Sequence, residues 1–176
     1  MEQTARQAGE NEISGAKRLL ESASLEKKII SGDAIFAQQE LSSLVVEKGG
    51  EYLWKWRANQ GNMYRMAVAH FEKMNDKYLG QASSLEKGHG RIDEREILSS
   101  FRIAGSMEFP YLAQVFRITR RSEEVKTGKI SEPAIYGITS IIGRRVWSEG
   151  VIRLSEKTLG NRKRFALRSR CHFPRR

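Results

Sequence analysis

Apolar positions recur along the chain with two different periods, and each change of period marks an element. Ile13, Ala16 and Leu20 fall at the i, i+3, i+7 spacing of a short amphipathic helix over Asn11 to Ser22, with Asn11 placed to cap it. Lys28-Ile29-Ile30-Ser31-Gly32 is instead a compact apolar run that stops at a glycine and a carboxylate. It reads as a buried strand presenting Asp33 at its C-terminal end. Ala37, Leu41, Leu44 and Val45 return to helical spacing, and Lys48-Gly49-Gly50 ends that helix. Tyr52-Leu53-Trp54-Lys55-Trp56-Arg57 then alternates bulky apolar residues with cations up to Asn59-Gln60-Gly61. Strand, helix, strand with short connections predicts a parallel βαβ unit. Its geometry would place Arg57, Asn59 and Gln60 on the same sheet edge as Asp33, the edge where open α/β sheets hold ligands and metals.

A longer helix is predicted from about Asn62 to Tyr78, with Met63, Met66, Ala67, His70, Phe71 and Met74 on one face. No second histidine or carboxylate stands at metal-ligand spacing to His70, so it is expected to face the core or lie half-buried, and the methionines to fill gaps. From Glu86 the texture changes. Gly88-His89-Gly90-Arg91 is a polar bend, followed by strands over Ile92 to Leu98 and Ala113 to Arg121. Lys126-Thr127-Gly128-Lys129 reads as a hairpin turn and Ile130 to Thr139 as the returning strand, in which Pro133 belongs at an edge or bulge. The fold class is therefore α/β followed by an antiparallel β segment, divided at 1–85, 86–140 and a tail over 141–176 without a period of either kind.

Composition changes this picture in one place. The chain of 176 residues carries a formal net charge of +10, which by itself suggests a nucleic-acid partner. From Ile141 onward there are 11 Lys/Arg and 2 Asp/Glu, so the preceding body is almost neutral and the basicity belongs to a disordered tail. No apolar run is long enough to span a bilayer and Met1 to Gln7 is polar, so the expectation is a cytoplasmic protein with no membrane partner. The single cysteine, Cys171, excludes an intramolecular disulfide and a Cys-based zinc site.

Six short motifs occur in a telling order: Asn11-Glu12-Ile13, Gly32-Asp33-Ala34, Gly50-Glu51-Tyr52-Leu53, Asn59-Gln60, Lys87-Gly88-His89-Gly90-Arg91 and Tyr136-Gly137-Ile138-Thr139-Ser140. Together they resemble DDE insertion-sequence transposases, in the branch that includes the H-repeat-associated proteins. The resemblance covers about residues 10 to 140. It implies an RNase H-like core in which two aspartates and a glutamate hold a pair of Mg²⁺ ions for DNA strand cleavage and transfer. Asp33 resembles the second aspartate, as catalytic and metal-binding residue, and the segment from Glu86 to Ser140 resembles the family's β insertion.

The chain departs from that pattern at both ends. The resemblance places the first aspartate upstream of Asn11 and the glutamate after Ser140 in a motif of the form HWGIEN, and neither is present. With suitable synonymous codons, the frame next to Thr158–Arg176 reads HWGIENALHYVRDVTFRE. The expectation is thus a truncated, frameshifted fragment with an incomplete core, catalytically inactive because it keeps one of three metal-binding carboxylates. Transposon-end DNA is the expected partner, with Lys55, Arg57, Asn59, Gln60, Lys87, His89 and Arg91 as candidate contacts. Alternative assignments stay open at each: Asp33 as the cap of the next helix, Lys55 and Arg57 on a solvated strand face, and Lys87, His89 and Arg91 in a solvated turn. At the level of the whole chain the alternatives are an inhibitor that binds DNA or dimerises with an intact transposase, and a decayed gene product without function.

Overall fold

Asn11 opens the first helix as its sequence position predicts: its side chain accepts the Ser14 N–H at 2.8 Å and α1 runs over Glu12–Ser22. The computed structural model of the chain describes residues 11–56, 61–73, 80–88, 91–142 and 166–169. After α1 come strand β1 (Lys28–Gly32), a 3-10 turn over Ala34–Phe36, helix α2 (Gln39–Glu47) and strand β2 (Glu51–Lys55). Gly49, at φ +76°, takes the left-handed conformation that lets the chain leave α2. Strands β1 and β2 pair in parallel, from Ile29 opposite Glu51 to Gly32 opposite Trp54, as the βαβ pattern requires. Ile29 to Gly32 and Tyr52 to Trp54 are all buried, so this pair is covered on both faces.

Helix α3 (Gly61–Lys73) is followed by an antiparallel series: β3 (Gly80–Gly88), β4 (Arg91–Ser100), β5 (Gln114–Glu124), β6 (Ile130–Ser131) and β7 (Ala134–Thr139). The predicted extension of α3 to Tyr78 lies outside the described residues. Strand β3 begins six residues before the change in composition at Glu86. The turn between β5 and β6 forms where Lys126-Thr127-Gly128-Lys129 places it, with the Gly128 N–H donating to the Glu124 carbonyl at 2.8 Å. The returning segment is split at Glu132-Pro133 into β6 and β7, and the Pro133 carbonyl still accepts the Arg120 N–H at 3.1 Å. In the tail, Ala166–Ser169 form β8, antiparallel to β1, where no regular element was expected.

The described strands make one sheet in the order β3-β4-β5-β7-β2-β1-β8, with β6 beside β5. Strand β7 joins its two parts, running antiparallel to β2 on one side and to β5 on the other. The junction is close: a β-carbon on Gly137 would strike the Trp54 carbonyl oxygen and the Phe116 ring. It is also polar. The Tyr52 N–H donates to Ser140 Oγ at 2.9 Å across 88 positions of sequence, Thr139 Oγ1 donates to the Tyr52 carbonyl at 2.6 Å, and Ser140 Oγ donates to Glu51 at 2.6 Å.

On one face of the sheet Ile30, Tyr52, Trp54, Leu98, Val115, Tyr136 and Ile138 pack with Leu20 of α1, Leu41 and Val45 of α2, and Ala67 and Phe71 of α3. Burial of each large side chain contributes about 1.5–3 kcal/mol. The Trp54 ring stacks 5.8 Å from that of Tyr52, and its Nε1–H donates to Ser42 Oγ at 2.9 Å, which donates in turn to the Gln38 carbonyl at 2.7 Å. This relay satisfies the one polar atom of a fully buried indole. By the alternation of strand side chains, Ile29, Leu53, Ile97, Phe116 and Ile118 occupy the other face, where they too are buried.

Candidate functional site

Asp33 stands directly after β1, at the carboxyl edge of the parallel pair. It is half-buried, in extended conformation, and its carbonyl accepts the Phe36 N–H at 2.9 Å to start the 3-10 turn. Its side chain does not cap that turn, although it occupies the capping position. Gly32 beside it leaves room for two rings: a β-carbon there would lie 2.9 Å from both Phe36 Cδ2 and Trp54 Cζ3. The aromatic core thus reaches up to the residue that precedes the carboxylate.

One step past the Gly32–Trp54 pairing, Asp33 falls level with Lys55, the half-buried last residue of β2. These two sequence-predicted residues share the edge. Arg57, Asn59, Gln60 and His89 lie outside the described residues. Lys87 is exposed on β3, and Arg91 opens β4 opposite Gly88 and Glu124.

Register relates these two groups. Gly32 is level with Trp54, Trp54 with Ile138, and Ile138 with Val115, so Asp33 is level with Phe116 on β5. Strand β5 points the same way as β2 and continues to Glu124. At about 3.3 Å per residue the stretch from Phe116 to Glu124 carries an arm of β3, β4 and β5 about 26 Å past the edge that holds Asp33. Lys87 and Arg91 belong to the far part of this arm, so they do not converge with Asp33 and Lys55 on one site.

Two cations of the arm, Arg117 and Arg120, face carboxylates on the neighbouring strand β4. Arg120 donates to Asp93 at 3.0 Å, Ser122 Oγ donates to the other Asp93 oxygen, and Arg117 lies 3.7 Å from Glu96 and 5.9 Å from the centre of the Phe71 ring. The Ser122 hydrogen bond, then that of Arg120, holds the Asp93 carboxyl below its ordinary value against the opposing effect of burial. Sequence reading passed over these residues; the signal was the alternation of acids and bases in Arg91 to Glu96 and Arg117 to Glu124.

His70 lies half-buried on α3, as its neighbours suggested, with Nε2 and Ser100 Oγ 2.8 Å apart. Burial first, and Arg102 second, hold its pKa below the ordinary value. Ser100 is 1 % exposed, which closes this pair to a substrate. Among the described residues no three His, Cys, Asp or Glu side chains come together to hold a metal ion. Nor is any described helix long and apolar enough to cross a membrane.

Comparison with known proteins supplies a second line of information. No family model matches the chain, and no solved structure does. A protein of Xanthobacter autotrophicus encoded in the dhlA 3′ region is 34% identical over 88 residues, covering 49% of this chain and 30% of that protein. The H repeat-associated putative transposase YbfD of Escherichia coli is 34% identical over 88 residues, 48% of this chain and 34% of its own length. A second protein of that name from the same organism, YhhI, is 29% identical over 87 residues, 48% of this chain and 23% of its own. The chain covers only about a quarter to a third of the length of each of these three relatives. Over about half of its length, therefore, the chain is related to proteins named as transposases.

Proposed function

We propose that this chain derives from a DDE transposase of the H-repeat-associated branch, that its βαβ unit is part of an RNase H-like core, and that alone it does not cleave or join DNA. The observation that carries this reading is Asp33 at the carboxyl end of β1, beside a parallel β2, in a chain similar to transposase-named proteins. In such a core this carboxylate would be one of three that position two Mg²⁺ ions. A single carboxylate neither neutralises nor orients two divalent cations. The donor set of the described residues does not fit that centre, so no catalytic step is assigned to Asp33.

The remaining chemistry is electrostatic. Lys55 ends β2 one step past the Gly32–Trp54 pairing, level with Asp33, and Lys87 is exposed on the arm; DNA, specifically transposon ends, is the proposed partner of these residues. Binding through a few lysines and the basic tail would be governed by counterion release and would weaken steeply with salt.

Two measurements test the proposal. The gene's nucleotide sequence is expected to encode an HWGIEN-like segment in the frame next to Thr158–Arg176; its absence there overturns the assignment of a frameshifted transposase. Purified chain incubated with Mg²⁺ and transposon-end DNA is expected to nick no faster than its Asp33→Ala variant. Mg²⁺-dependent nicking lost in that variant would show a working site instead.

A further inference from the structure

We infer that β3 is a strand-addition edge at which two copies of this chain pair antiparallel about a two-fold axis through Ser84. Strand β3 closes one side of the sheet, with β4 as its partner and no described strand beyond it. Its pairing with β4 is unbroken from Gly80 opposite Ser99 to Gly88 opposite Arg91. The far side of the strand therefore presents a regular row of backbone N–H and C=O groups.

Natural sheets block such an edge with proline, a bulge, a short strand or a central charge. Strand β3 has nine residues and contains no proline, its register with β4 has no bulge, and its two charged residues, Glu86 and Lys87, both sit near one end. Gln81, Ser83, Leu85 and Lys87 are exposed, with Leu85 at 61%. An isolated apolar residue on an unprotected edge strand is what a partner strand would cover.

The sequence of β3 favours a second copy of itself as that partner. An axis through Ser84 sets Gly80 opposite Gly88, Gln81 opposite Lys87, Ala82 opposite Glu86 and Ser83 opposite Leu85 of the second copy. No acid meets an acid and no base meets a base. The two Leu85 positions become diagonal neighbours, close enough for leucine side chains to touch. All nine positions are used, and the pairing closes on itself as a two-fold dimer. The inference rests on the geometry of β3 and stands or falls independently of any relation to transposases.

The test is the mass of the full-length chain by sedimentation over a range of concentrations. A single pair of strands buries less than the ~1,200 Å² of a standard interface, so a reversible dimer with a dissociation constant of order micromolar is expected. Leu85→Lys should weaken it about tenfold or more while the unfolding midpoint of the monomer stays unchanged, because that position is exposed. Ser84→Cys in a Cys171→Ser background should couple two chains on mild oxidation, whereas Gln81→Cys should not couple to itself. A chain that stays monomeric to several hundred micromolar overturns the inference. So does a dimer that ignores Leu85→Lys and fails to couple through position 84.

Discussion

Gly137 and Ser42 show how little material holds the middle of this sheet. At Gly137 the missing side chain is the contact: the Trp54 carbonyl and the Phe116 ring fill the space a β-carbon would need. Gly137→Ala is expected to cost about 3 kcal/mol, read as a fall in the urea midpoint with unchanged slope. Ser42 holds the Trp54 indole N–H. Ser42→Ala leaves that donor buried and unpartnered, at about 1–3 kcal/mol, whereas Ser43→Ala next to it should be close to neutral. The pH response follows from two further residues. The fold lowers the pKa of His70 from 6.5, so it favours the neutral ring; that contribution is complete above pH 6.5 and is lost as pH falls below it toward the folded value. Asp93 is lowered from 3.8, and its contribution is present above that value and lost as pH falls through the folded one. The two windows do not coincide, so His70→Gln should flatten the stability profile just below pH 6.5 and leave the acid limb unchanged.

Elements differ in how much of them the sequence makes legible. Helix α1, strands β1 and β2, and the turn at Gly128 are specified locally, by a cap, by apolar runs and by a glycine. Asn11→Ala should accordingly remove about 1 kcal/mol, measured as a lower thermal midpoint. Strand β3 is different. Gly-Gln-Ala-Ser-Ser-Leu-Glu-Lys-Gly has a single large apolar residue and no clear alternation, and its extended form comes from the ladder with β4 rather than from its own composition. Strand β8 was hidden for a related reason: isolated apolar residues among cations carry no period, and pairing with β1 defines it. The candidate site divides in the same way. The parallel βαβ rule set Arg57, Asn59 and Gln60, which lie outside the described residues, at the edge of Asp33; register sets Lys55 level with Asp33, and Lys87 and Arg91 on an arm whose direction only the register reveals.

At the scale of the whole molecule, what looked like an α/β unit with a β segment after it is one sheet, because β7 is stitched to β2 and to β5 at once. Such a sheet should unfold as one cooperative unit. In a Trp147→Phe background, tryptophan emission, which then reports Trp54 in β2 and Trp56 just after it, and far-ultraviolet circular dichroism, which reports the strands of the arm as well, are expected to give superimposable urea transitions. Two separated transitions would instead mean that the arm folds independently of the edge holding Asp33.

The clasp between Tyr52 and Ser140 also fixes an order of events during synthesis. Ser140, which follows the strand that closes the open side of β2, is made 88 positions after Tyr52, and at the usual 5–20 residues per second that is an interval of about 4 to 18 s. Throughout it the nascent βαβ unit carries the edge of β2 that β7 will pair without its partner strand. A ribosome stalled before Thr139 would therefore hold a sticky intermediate, and a chaperone that binds extended apolar segments should be captured on β2 until Ser140 has left the exit tunnel.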